Sequence, residues 1–227
     1  MAARSLSVGN AAKHYCLQLI ERRVRAGDGR LRILDVGCGD ARNFVELLRA
    51  YPDVEYVGFD PSPAATDVAR TNLAGRRAEI FLGRLGEPLA PAADVVVSFS
   101  VLEHVRSRRE YLGAIAASLA ADGTVYLNYD YGHFGREATA ADRVKTLLRL
   151  QAPVDTDEFR RVATAAGLRI VDEKAFNTDL KLAFRDVPPE RQDEFMQRWL
   201  DVELYLNELG LDRSPVWRTR NFVLARG

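Results

Sequence analysis

Four groups of residues in this sequence have the types and spacing that chemistry requires. Asp35-Val36-Gly37-Cys38-Gly39-Asp40 sets a carboxylate two residues ahead of a Gly-x-Gly turn. Asp60 follows the next apolar run and is itself followed by Pro61 and Ser62. The histidines are His14, His104 and His133, and histidine is the natural general base near neutral pH. The run from Asn128 holds Tyr129, Asp130, Tyr131 and His133, the polar and aromatic mixture that walls small-molecule sites.

The glycine turn carries the most information. Gly37 and Gly39 let the backbone bend sharply and approach a ligand with no Cβ in the way. The N–H groups that open the next helix suit an anionic group such as a carboxylate. A lone Gly-x-Gly also fits a dinucleotide loop. Two details argue against that reading. The dinucleotide pattern wants Gly or Ala three residues past its second glycine, where this sequence has Arg42. An acid at position 35 is awkward beside a pyrophosphate and useful beside an ammonium group. A zwitterionic ligand with an amino acid moiety fits both. Asp60, at the end of a second strand, can accept the hydroxyls of a ribose.

These residues need elements to hold them, and the hydrophobic pattern supplies an alternating series. Helices are expected over residues 11–25, 42–50, 63–74, 107–120, 156–166 and 188–209. Strands are expected at 31–36, 54–59, 78–82, 94–99, 124–129, 168–176 and 218–225. Alternating strands and helices imply a parallel sheet covered on both faces. In such sheets ligands bind at the carboxyl ends of the strands, and the glycine turn, Asp60, His104 and the 128–134 run all follow strand ends.

The 227 residues are 47% hydrophobic and within the size of one domain. Lys plus Arg equals Asp plus Glu, at 32 each, so no domain-wide basic field attracts nucleic acid. Basic clusters at 22–25 and 106–109 leave a macromolecular acceptor as a second reading. Cys16 and Cys38 do not make a disulfide scaffold or a zinc pattern, and no metal is expected. No secretory leader is read at the start and no apolar run reaches the ~18 residues of a membrane span, so a cytoplasmic protein is expected.

The segments DVGCGDARNF, GFDPSP, SFSVLEHV and LAADGTVYLNYD, in this order and spacing, resemble the class I methyltransferase family over residues 10–176. The resemblance implies S-adenosyl-L-methionine as cofactor and S-adenosyl-L-homocysteine as product. It implies a Rossmann-like αβα sandwich whose seven-stranded, mostly parallel sheet ends in an antiparallel strand. It also implies site roles. Asp35, Gly37 and Gly39, with Cys38 between them, would hold the methionine part. Asp60, Pro61 and Ser62 would hold the ribose. Gly83, Arg84 and Leu85 would border the adenine, although Arg84 stands where the family often has an acid. Ser98, Phe99 and Ser100 would lie beside the sulfonium. The VLEHV segment is similar to the branch that methylates small metabolites, quinone precursors and natural products among them.

The expected organisation is one domain: an N-terminal lid helix (1–28), a cofactor-binding core (29–176), a helical lid insertion (177–217) and a last strand (218–227). Methyl transfer requires alignment, exclusion of water and sometimes removal of a proton. His104 and His133 are the candidate bases. Tyr15, Tyr129, Asp130, Tyr131 and His133 are candidate substrate contacts. The leading expectation is methylation of an oxygen or nitrogen of a small molecule, with a homodimer a possible state through the aromatic residues of the insertion. The alternative is a related fold that binds the cofactor and catalyses another reaction, such as a cyclisation.

Overall fold

A computed structural model describes residues 10–27, 30–86, 91–130, 140–148, 150–176, 184, 186–210 and 219–227. Its centre is a seven-stranded sheet. In chain order the strands are β1 (Arg32–Val36), β2 (Glu55–Asp60), β3 (Ala78–Leu82), β4 (Ala93–Phe99), β5 (Leu119–Asp130), β6 (Leu168–Phe176) and β7 (Thr219–Arg226). Their spatial order is β3-β2-β1-β4-β5-β7-β6. β7 runs antiparallel to both neighbours, and the other pairs are parallel.

The helices are α1 (Ala11–Ala26), α2 (Val45–Ala50), α3 (Pro63–Asn72), α4 (Arg108–Ser118), α5 (Ala140–Leu147), α6 (Thr156–Ala165) and α7 (Gln192–Glu208). Their starts follow from side-chain caps. Asn10, Ser62, Ser107 and Asp155 each accept a backbone N–H three residues on, and Pro63 occupies the first turn of α3.

Strand alternation divides the core into two layers. Ile33, Val95, Val97 and Tyr56 point to the face covered by α1, α2 and α3. Leu34, Val36, Val96 and Leu127 point to the face covered by α4 and α6. α1 earns its place on the first face through Cys16, Leu17, Ile20 and Val24, all fully buried. Each such aliphatic side chain contributes roughly 1.5–3 kcal/mol. Cys16 and Cys38 are both free and buried.

Two expected element bounds are corrected here. α1, expected as a lid, forms a core layer over most of its length. Only its N-terminal end reaches the third apolar cluster, where Ala11 and Ala12 meet Phe176, Met196, Trp199 and Leu200. The helix expected over 42–50 is split, because Arg42–Phe44 forms a 3-10 turn entered from Ala41 in the left-handed region. α4 ends at Ser118 and β5 starts at Leu119, since a register shift between Ala93 and Val95 lets β5 begin five residues early. α5 was not anticipated at all. Val144, Leu147 and Leu148 are 53%, 82% and 61% exposed, so no buried face marks this helix in the sequence. Among the described residues no helix is long and apolar enough to cross a membrane.

Candidate functional site

The loops that leave β1, β2, β3 and β4 meet at the carboxyl edge. Gly37 and Cys38 both donate their N–H to the Phe59 carbonyl, at 2.7 and 3.0 Å. The Asp60 carboxylate then accepts from Gly39 N at 2.8 Å and from Ser62 N at 2.9 Å. Its backbone carbonyl accepts from Gly83 N at 2.9 Å. One acid thus ties three consecutive loops together. Each carboxylate oxygen retains lone-pair capacity for a further donor.

Position 37 requires glycine on two counts. Its φ is +86°, and a Cβ there would lie 2.3 Å from Val101 Cγ2. The missing side chain lets the β4 loop close on the β1 loop. Position 58, absent from the sequence reading, is similar. A Cβ at Gly58 would lie 2.9 Å from Cys38 Sγ and 3.0 Å from Ile80 Cδ1.

Among the described residues two non-glycines sit in the left-handed region, Ala41 at φ 54° and Ser100 at φ 58°. Both follow strands whose ends form this edge. Such conformations cost about 1 kcal/mol or more and persist where the surroundings impose them. Ser100 is held by its N–H, shared between the Asn128 side-chain oxygen at 2.9 Å and its carbonyl at 3.2 Å.

Asp35 lies beneath the turn on the α1 face and is 3% exposed. The Tyr56 hydroxyl donates to its Oδ2 at 2.7 Å. Burial pushes the Asp35 carboxyl up to about 7, a rise that the Tyr56 hydrogen bond and the Lys13 charge oppose and the Asp60 charge assists. A buried acid poised this way gains strongly from a cationic partner.

A cleft of about 560 Å³ opens between the four loops. Gly37, Pro61, Gly83, Arg84, Leu85 and His104, all singled out in the sequence, line it together. Phe59, Val101, Val105, Arg106 and Tyr111 also line it and were missed. Val101 and Val105 belong to the VLEHV segment, whereas Phe59 on β2 and Tyr111 on α4 read from the sequence as packing residues. A second cavity of about 270 Å³ adjoins across His104, Val105 and Arg106, and extends to Gln151 and Glu158.

His104 ends the turn Leu102–His104 and is exposed. Its Nδ1 lies 3.1 Å from the Leu150 carbonyl oxygen. A carbonyl only accepts, so Nδ1 carries the hydrogen and Nε2 of the neutral ring holds the lone pair.

Other expected site residues are placed elsewhere. Ser98 is fully buried and donates to the Tyr111 hydroxyl at 2.7 Å, which in turn donates to the Val36 carbonyl at 3.2 Å. Phe99 is in the α1-face core. Neither lines the described cleft. The ring of Tyr129, expected as a substrate contact, packs against Phe159 and Phe222 on the α4/α6 face, and its hydroxyl pairs with Thr156 at 2.8 Å. Tyr15 donates to Asp172 Oδ2 at 2.8 Å and packs on Phe176, which commits it to the α1–β6 contact. His14 is buried, with Gln18 Nε2 3.1 Å from its Nε2. Asp130 ends β5, paired in register with Thr219. Tyr131 and His133 lie outside the described residues. In the insertion, Met196 and Trp199 are buried against α1 and Tyr205 is 59% exposed. The Trp199 indole donates to Glu203 at 2.8 Å.

The chain is similar to known proteins. The family described as a methyltransferase domain matches residues 9–173. Polyketide synthase ThaQ of Burkholderia thailandensis is 29% identical over 148 residues, covering 63% of this chain and 7% of that protein. The mitochondrial ubiquinone biosynthesis O-methyltransferase of Schizosaccharomyces pombe is 32% identical over 143 residues, covering 60% of this chain and 51% of that protein. The chain therefore spans only a small part of the first relative and about half of the second. Among solved structures, the O-methyltransferase of a trans-AT polyketide synthase multienzyme from Brevibacillus brevis, in complex with S-adenosyl-L-homocysteine, superposes with a TM-score of 0.54. That likeness covers 87% of this chain and 67% of the other, at 19% identity, and shows a shared fold.

Proposed function

We propose, for a chain that belongs to the class I S-adenosylmethionine-dependent methyltransferases, transfer of a methyl group to an oxygen or nitrogen of a small molecule. The observation that carries this reading is Asp35: a carboxyl 3% exposed, raised by its burial and set under a glycine turn. It fits the amino acid end of S-adenosylmethionine, whose ammonium would complete the pair. Asp60 would take the ribose hydroxyls while keeping its bonds to Gly39 and Ser62. Gly83, Arg84 and Leu85 would border the adenine along the described cleft.

When bound, the cofactor supplies a methyl group on a sulfonium for in-line transfer. The chain's own residues supply position and proton handling. Val101, Val105 and Phe59 give the cleft an apolar wall that excludes water. His104, with Nε2 as its basic nitrogen, would take the proton of an acceptor hydroxyl or amine. The adjoining cavity beyond His104 would hold part of that acceptor. The two curated relatives support a small acceptor, one named for a polyketide synthase and one for ubiquinone biosynthesis.

The test is release of S-adenosyl-L-homocysteine against a panel of metabolites bearing hydroxyl or amine groups. Turnover with one such acceptor is expected. With that acceptor, His104→Ala should lose about 100-fold in kcat and keep cofactor affinity. Unchanged kcat would leave alignment alone as the mechanism.

A further inference from the structure

Asp35 and Tyr56 stand on adjacent parallel strands. Asp35 is in register with Gly58 and Ile33 with Tyr56, so the two side chains are diagonal neighbours on the α1 face. The Tyr56 ring is 1% exposed and packs on Phe44 with ring centroids 5.2 Å apart. Its hydroxyl, 2.7 Å from Asp35 Oδ2, has the carboxylate as its acceptor in a layer otherwise built of aliphatic and aromatic groups. Gly58, directly opposite Asp35, leaves space that Cys38 and Ile80 fill, so apolar atoms close around the pair. A phenol buried this deeply must find an acceptor, and a carboxylate buried this deeply must find a donor.

We propose that Tyr56 is a positioning residue for the cofactor: its hydroxyl aims the Asp35 carboxylate and keeps it charged for the ligand's ammonium group. This inference rests on the reading of Asp35 as the ammonium partner. Tyr56 does not itself touch the ligand in this scheme.

The surroundings give the sign of the pH effect. Facing Asp35 are Lys13 from α1, Tyr56 and Asp60 from β2 and Cys38 from the glycine turn, while Tyr111 of α4 feels its charge from the opposite face of the sheet. Burial pushes the Cys38 thiol and the Tyr56 and Tyr111 phenols up, so they remain neutral at physiological pH. Among the described residues Lys13 and Asp60 act on Asp35 as opposing charges. The Tyr56 hydrogen bond is then the main interaction favouring the carboxylate over the acid. Its loss raises the pH at which Asp35 ionises, and ligand affinity at neutral pH falls.

The experiment uses the full chain and Tyr56→Phe, which keeps the ring against Phe44. Asp35 ionisation is followed in the ligand-free protein by carbon NMR of its carboxyl. Calorimetry then measures S-adenosyl-L-homocysteine and 5′-methylthioadenosine, which lacks the amino acid end, from pH 6 to pH 9. In Tyr56→Phe the Asp35 midpoint should rise by about one pH unit. S-adenosyl-L-homocysteine should bind about five- to tenfold more weakly at pH 7, recovering toward pH 9, while 5′-methylthioadenosine is unchanged. Equal loss of both ligands at every pH would assign Tyr56 a packing role and overturn the proposal. So would an unmoved midpoint with unchanged affinity, which leaves the cofactor reading intact. Failure of the parent chain to bind S-adenosyl-L-homocysteine would overturn that underlying reading as well.

Discussion

The carboxyl edge of the sheet has two halves, and they are built differently. Around β1, β2 and β3 the loops are short, and backbone hydrogen bonds to Phe59 and Asp60 tie them together. Around β5, the connection carries an exposed helix, α5, and the second insertion lays α7 over the N-terminal end of α1. Under the proposed function the first half would grip a cofactor whose chemistry is constant. The second half contains the parts that would differ from one acceptor to another, and loops and insertions are where such variation is tolerated. A rigid grip beside a variable wall lets one fold serve many acceptors.

Breaking the rigid half should have the largest effects. Gly37→Ala places a Cβ against Val101 at a left-handed φ, so cofactor affinity should fall at least about 100-fold and stability by roughly 2 kcal/mol. Calorimetry and thermal melting would read both. Asp60→Ala leaves the Gly39 and Ser62 N–H groups without their acceptor and removes the ribose partner. A loss of roughly 2–3 kcal/mol in cofactor binding is expected by the same titration.

Asp35→Asn separates stability from binding. The folded-state pKa of Asp35 lies near 7, above its ordinary value, so the folded chain holds a proton that the unfolded chain has released. Its contribution to stability therefore falls as pH rises from about 4 to about 7. Asn cannot ionise and retains an acceptor for Tyr56. The ligand-free Asp35→Asn protein should melt several degrees higher than the parent at pH 8 and bind cofactor more weakly. Melting scans with and without S-adenosyl-L-homocysteine would show the opposite signs.

The smallest effect is expected in the variable half. Leu147 is 82% exposed on α5, so Leu147→Gln should leave stability within about 0.5 kcal/mol and cofactor affinity unchanged. A large drop in either would show that α5 belongs with the rigid half.

The same division explains what the sequence reveals. β1, the glycine turn and Asp60 are readable because backbone geometry admits few residue types there: glycine at a positive φ, an acid at a strand end. The cap residues Asn10 and Asp155 are readable for a similar reason, while Ser62 and Ser107 show themselves as caps in the structure. Tyr56 escaped notice because a tyrosine in a buried strand looks like packing until register sets its hydroxyl beside Asp35. Tyr129 misled in the opposite direction. It sits in a polar, aromatic run at a strand end, but period-two alternation turns it toward Phe159 and Phe222. Ser98 likewise faces Tyr111 by alternation. α5 has no buried stripe for a periodic pattern to report, and α1 reads as a terminal helix although its apolar stripe makes it a core layer.

The most direct measurement is a calorimetric titration of S-adenosyl-L-homocysteine into the full chain and its Asp35→Asn variant at pH 8. Saturable one-to-one binding by the parent, weakened about tenfold or more in the variant, is the predicted result. No binding by the parent, or equal affinity in the two proteins, would contradict the assignment of the glycine turn and its buried acid as the cofactor site.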